Sequence, residues 1–432
     1  MRHPRGTLAA LAVGLSVTMA SATAKAETPV RLPRDLAEAL AAAQSDLEGG
    51  RPAEVIRRLS AFQGQDHALR HLLLGHAYVR QSDLPQAARA YQDALAIDGS
   101  MKEAGVGLAQ VRARQRQWAR AAELLGQFTS PDTCEADLLL LYAEAARQLN
   151  DRRLSDLLVR KGILRFPHDR RFRRLDLALR IDAADHPGTR RAAMHLLAAD
   201  PTDATLWQHV ALAEAAAHAD ARQIAALEAS LLCDPSDLVR HRQFLAAELA
   251  AGNWPTVVSH GRSLLEGPLG KDASADPGTL ELLLAAADIG QQDDILAAWL
   301  DRVPEKANTR AMHLVAARLA LRQGKTKAAR ETLARLIEAG ETGPAVFLWA
   351  GHLAETANDP AQAETLYTQA RKLTGPAARL AVLYLGRLHI RLGRFGQARR
   401  LLHEYLNTYP EDAPARALLA LAEAPKHAPD DK

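Results

Sequence analysis

The stretch ALRHLLLGHAYVRQSDLPQAARAYQDALAIDGSM, Ala68 to Met101, decides the fold. Within it Leu74-Gly75, Tyr78, Ala87, Tyr91 and Ala94 set small residues among large apolar ones, the pattern of two helices that approach closely and reverse at a turn. A small residue in the first helix (Gly75 here) lets the second helix come near, and a glycine or polar residue accommodates the reversal. Helices this short are marginal alone, so each pair must bury its apolar face against neighbouring pairs.

The same arrangement recurs along the chain. Pro167, Pro201 and Pro235 lie 34 residues apart, each closing a helical segment. Residues 379–412 carry Leu385-Gly386, Gly393, Phe395, Ala398 and Pro410, and residues 344–378 carry Ala350-Gly351, Ala363, Tyr367 and Ala370. Weaker copies keep Leu108, Trp118 and Ala121, or Trp207, or Gly252 with Trp254, or Gly290 with Trp299, or Gly324 with Ala329. Ala109 and Ala211 take the small first-helix position. This period and signature resemble the tetratricopeptide repeat. The resemblance implies an all-α fold, an α-solenoid with a right-handed superhelix of about eleven helix-turn-helix units, the first at residues 34–67.

The expected organisation is a leader at 1–26, an N-terminal repeat block at 27–265, a surface loop at 266–278 rich in Gly, Pro and polar residues, and a C-terminal block at 279–424. That block ends in a capping helix over residues 413–424, and 425–432 reads as a charged, disordered tail. The leader has a basic start (Arg2, Arg5), an apolar stretch from Leu8 to Val17 and a small-residue end, Ala24-Lys25-Ala26. It predicts export to the periplasm with cleavage after Ala26. The apolar stretch is about half the ~20 residues that span a bilayer, so a membrane anchor is not expected there or later. Cleavage would remove three of the 54 Lys and Arg and none of the 51 Asp and Glu, leaving a neutral chain. Nothing in that balance points to nucleic acid. Aromatic residues are only 4%, so the core must come from Leu, Ala and Val, which suits packed helices.

Motifs of chemistry are missing. His71 and His76 are five apart with no intervening glutamate, and Gly105-Val-Gly107 lacks a third glycine and a preceding strand, so neither a zinc site nor a dinucleotide loop is expected. The reading is of a non-enzyme with no cofactor and no metal. Cys134 and Cys233 fall three units apart, ~30 Å at the usual helix spacing, too far for a bridge. Cys233 reads as buried, and Cys134 as lying near a loop. Asp151 to Arg180 is the densest basic segment; its plain reading is a solvated helix face, the alternative an anionic-partner site.

In the family the first helices line the inner face. That register places Arg80, Arg114 and Arg147, and then Arg318, Arg322, Arg387 and Arg391, as candidate groove-lining residues for a partner. Relatives that clamp a chaperone's C-terminal carboxylate use Asn and Lys at inner positions held here by Leu72, His76, Val106 and Gln110, so that activity is not implied. The leading expectation is a periplasmic scaffold binding a protein or peptide in its concave groove. The alternative is an accessory factor in exopolysaccharide synthesis or export, its arginines following an anionic polysaccharide.

Overall fold

The computed structural model describes residues 32–304, 309–341 and 343–423; the leader expected at 1–26 and the tail expected at 425–432 lie outside them. Among the described residues there are twenty-four α-helices and no strand. The chain divides into two compact units, Met1–Ala217 and His218–Lys432.

The first unit runs α1 (Arg34–Glu48), α2 (Pro52–Ser60), α3 (Ala68–Arg80), α4 (Leu84–Ile97), α5 (Lys102–Arg114), α6 (Trp118–Phe128), α7 (Ala136–Gln148), α8 (Arg152–Arg165), α9 (Arg170–Asp182), α10 (His186–Leu197) and α11 (Ala204–Ala216). The second holds α12 (Asp220–Cys233), α13 (Leu238–Ala250), α14 (Trp254–Glu266), α15 (Gly270–Ala275), α16 (Pro277–Ile289), α17 (Asp293–Leu300), α18 (Arg310–Arg322), α19 (Thr326–Glu338), α20 (Pro344–Thr356), α21 (Pro360–Arg371), α22 (Pro376–Arg391), α23 (Phe395–Thr408) and α24 (Ala413–Glu423). Apart from α15 and α24 they alternate as first and second helices of eleven two-helix units, the number the period predicts. Within each unit a helix packs on neighbours one or two places along the chain, and three only where α15 is interposed. Each unit is therefore a one-dimensional stack.

The period is written in the backbone. Ser82, Arg116, Asn150, Ala184, His218 and Gly252 all adopt left-handed φ, between 52° and 82°, and they are spaced by 34 residues throughout. Each ends a first helix; after Ser82, Arg116, Asn150, Ala184 and Gly252 the next residue donates its N–H five residues back, as Asp83 does to the Tyr78 carbonyl at 3.0 Å. That bond satisfies carbonyls the helix end leaves open and turns the chain into its second helix. The turns marked by Pro167, Pro201 and Pro235 end in Asp169, Asp203 and Asp237, whose side chains accept from N–H groups of the next first helix.

Packing inside each pair follows one rule. A Cβ added at Gly75 would lie 2.4 Å from Tyr91, and one at Gly351 would lie 2.7 Å from Tyr367, both tyrosines being buried sixteen residues on. The same offset joins Gly386 to Leu402, and it separates Ala109 from Leu125, both fully buried. A ring needs a glycine opposite it; a leucine tolerates an alanine.

Three expectations change. The segment 266–278 is not a simple surface loop: it contains α15, with Ala273 fully buried and Leu269 packed on the core. The reason is tertiary, because Leu245, Val257 and Leu265 before it and Leu280, Leu283 and Leu296 after it form one cluster that α15 helps to cover. Nor does it separate two blocks, since that core is continuous across it. The cysteines are also reversed: Cys134 is buried among Leu139, Leu158 and Phe172, its carbonyl accepting from Arg165 at 2.8 Å, while Cys233 is half-buried. In the turn before α7 Cys134 points inward, while Ser130, Asp132, Thr133 and Glu135 beside it are exposed. At the C-terminal end α24 packs on α22 and α23, burying Ala415 and leaving Leu421 exposed.

Candidate partner-binding face

First helices pack on first helices in both units. In the second, α13 lies on α16, α16 on α18, α18 on α20 and α20 on α22, so equivalent positions of successive repeats form rows. A cleft of about 530 Å³ opens across α13, α16 and α18. Ala246, Leu282, Ala285, Ala311, Met312 and Val315 give it an apolar lining, and alanines at the helix crossings leave the room.

Three polar side chains join that lining, Arg242, Gln243 and Glu281. Arg242 is held 3.3 Å from both carboxylate oxygens of Asp276. Burial works against the Asp276 carboxylate, but hydrogen bonds from Thr279 and the charge of Arg242 outweigh it and keep its pKa below the ordinary value. Glu281 accepts from the Thr309 hydroxyl at 2.5 Å. Gln243 is exposed and makes no hydrogen bond among the described residues, which leaves an amide with both donor and acceptor capacity over an apolar floor.

Farther along, the same rows become aromatic and basic. Arg318 lies over Trp349 at 5.0 Å, Trp349 meets His352 edge-on at 5.9 Å, His352 meets Tyr384 at 5.6 Å, and Arg387 lies over Tyr384 at 4.5 Å. Burial lowers the His352 pKa, with Glu355 opposing and Arg387 adding to the shift. Its buried Nδ1 has no hydrogen-bond partner.

Of the seven arginines expected to line the groove, six bond to other groups of the chain. Arg318 and Arg322 converge on Asp288 at 2.8 and 2.7 Å, and Arg387 and Arg391 converge on Glu355 at 3.4 and 3.2 Å. Arg322 also reaches Asp293 at 2.8 Å, and Glu355 accepts the Tyr367 hydroxyl at 2.8 Å. Both carboxylates are buried penultimate residues of one first helix, and the arginines come from the next. In the first unit Arg147 is shared between Glu144 and Asp182, and Arg80 donates to the Leu47 carbonyl at the end of α1 at 2.6 Å. Arg114 is exposed and forms no ion pair among the described residues. Two pairs are thus brought together, while Arg80, Arg114 and Arg147 share no acceptor. Sequence reading missed Asp288, Glu355 and the apolar cleft; an acid one repeat length before an arginine, as Asp288 stands before Arg322, is the signal that finds the first, whereas Glu355 precedes Arg387 by 32 residues and falls outside that rule.

Among the described residues no three His, Cys, Asp or Glu side chains are grouped as metal ligands would be, and no described helix is long and apolar enough to cross a membrane.

Two tetratricopeptide-repeat family models match the sequence, at residues 72–127 and 354–429. Solved structures similar to the chain include the APC/C hetero-tetramer Cut9-Hcn1, at 15% identity over 89% of this chain and 83% of that one with a TM-score of 0.43. Yeast Tom70 is 14% identical over 90% and 88% of the two chains, TM-score 0.41. YrrB, described as a TPR protein with an unusual peptide-binding site, is 13% identical over 44% of this chain and 95% of its own, TM-score 0.38. No curated protein matches. With paired helices, left-handed turns at a 34-residue period and family matches at residues 72–127 and 354–429, both units carry tetratricopeptide repeats.

Proposed function

We propose that this protein is an exported scaffold that holds an extended peptide segment of a protein partner on the first-helix face of its second unit. The observation that carries the reading is the apolar cleft across α13, α16 and α18. Its size and lining suit one or two aliphatic side chains, and Gln243 stands ready to bond the main chain of an extended peptide. The rigid stack supplies the geometry without reorganisation, which limits the entropy cost of binding.

Export rests on Arg2, Arg5, the apolar Leu8 to Val17 and the Ala24-Lys25-Ala26 end; a mature N-terminus at Glu27 in the periplasmic fraction is the expected result. The reading in which arginines track an anionic polysaccharide draws less support, because Arg318, Arg322, Arg387 and Arg391 already serve Asp288 and Glu355. Panning a peptide library on the protein tests the main proposal. Binders should lose affinity about tenfold or more in Ala285→Trp, which fills the cleft. Binders indifferent to that substitution would remove the cleft as the site.

A further inference from the structure

The outer faces of the second helices differ from one another in a way that solvation does not require. In α8, Arg153, Leu157, Arg160 and Leu164 fall on one narrow line opposite the buried residues Ser155, Leu158, Val159 and Gly162. All four are exposed, Leu157 at 51% and Leu164 at 81%. The 34-residue register puts Pro85, Arg89, Gln92 and Ala96 at the same exposed places in α4, and Ala119, Glu123, Gly126 and Ser130 along and just beyond α6. Neither set holds a large aliphatic residue. The next helix, α10, carries Arg191 and Met194 there, both exposed, and its own segment contains no acid.

The charge on this surface is one-sided. The single acid of α8, Asp156, is already engaged by Arg160 and Arg180. Arg153 and Arg191 have no ion pair among the described residues. Leucines at i and i+7 alternating with arginines, on a face turned away from the helix's own core, combine apolar insertion with attraction to negative charge. Leu232, at the same place on α12, is as exposed as Leu164 but has Glu228 and no arginine on its line, so the pairing of leucine with arginine is particular to α8. We infer that the outer face of α8, extended by α10, docks on a membrane surface rich in anionic phospholipid.

Co-sedimentation of the full mature chain with phosphatidylcholine vesicles, with and without phosphatidylglycerol, tests this. Binding is expected only to the phosphatidylglycerol vesicles. Leu157→Ser with Leu164→Ser should lower the partition coefficient about tenfold, from lost apolar burial. Arg153→Gln with Arg160→Gln should lower it by about fivefold per charge removed. Arg89→Gln, on the equivalent line of α4, should leave it unchanged, and circular dichroism of these surface variants reports that folding is intact. Failure to bind either vesicle overturns the inference. So does binding that the leucine pair does not affect, because the contact would then be charge alone.

Discussion

Arg322, the last residue of α18, places Nη1 2.7 Å from Oδ1 of Asp288, which stands 34 residues earlier on α16. Arg318 takes the other oxygen of the same carboxylate. Asp288 is almost wholly buried, so its charge depends on these two guanidinium groups from the next repeat. Glu355 with Arg387 and Arg391 repeats the device two repeats on. These ion pairs fix how one first helix sits on the next.

Removing the acid should therefore loosen the stack locally. Asp288→Ala leaves Arg318 without its acceptor and Arg322 with Asp293 alone, and is expected to cost about 3 kcal/mol. Hydrogen exchange in α16 and α18 should speed up, while α3 and α4 in the other unit keep their protection. Arg322→Ala should cost less, since Asp288 retains Arg318.

The close approach of Gly75 to Tyr91 makes a paired prediction. Gly75→Ala puts a methyl group 2.4 Å from the Tyr91 ring, and overpacking of this kind costs about 1–3 kcal/mol. Tyr91→Leu leaves a void. Together they recreate the arrangement that Ala109 and Leu125 already adopt in the next pair, so the double variant should be more stable than the two single losses add up to. Urea denaturation of the four forms measures the coupling.

Acid should weaken the protein through its histidines. Burial, reinforced by Arg80 and opposed by Glu103, lowers the His76 pKa from 6.5 to about 4. His260 is lowered in the same direction by burial and then by His241, whose Nδ1 lies 2.8 Å from it. Between the folded and unfolded values the unfolded chain binds more protons, so stability rises with pH across that window. The contribution is complete above pH 6.5 and is lost as pH falls toward about 4. His76→Leu should flatten the pH dependence of the urea midpoint in that range, and a slope unchanged by this substitution would count against the assignment.

Much of this architecture is legible in the sequence because repeats state the same requirement many times. Gly75, Gly351 and Gly386 announce close helix approaches, and the prolines at 167, 201 and 235 announce the period. The turns are less legible. Their left-handed residue is Ser82, Arg116, Asn150 or Ala184 as readily as Gly252, because the hydrogen bonds of the helix end hold the conformation whatever the side chain. The helix at Gly270–Ala275 was hidden since Gly and Pro around it spell a loop, and only burial of Leu269 and Ala273 on a distant core makes it helical. Arginine positions could be read, but not their use: the acids that hold them lie about one repeat away, and single-helix register does not reveal which oxygen a guanidinium reaches. The apolar cleft needs three helices at once, so no one segment displays it.

Photo-crosslinking tests the central claim, that partners are held on the first-helix face. A photoreactive side chain is placed at Ala285, in the cleft on α16, or at Arg330, exposed on the second helix α19, and each protein is irradiated in the cells that express it. A partner peptide joined through position 285 and not through 330 is the predicted result; a partner captured through 330 with nothing at 285 would contradict it.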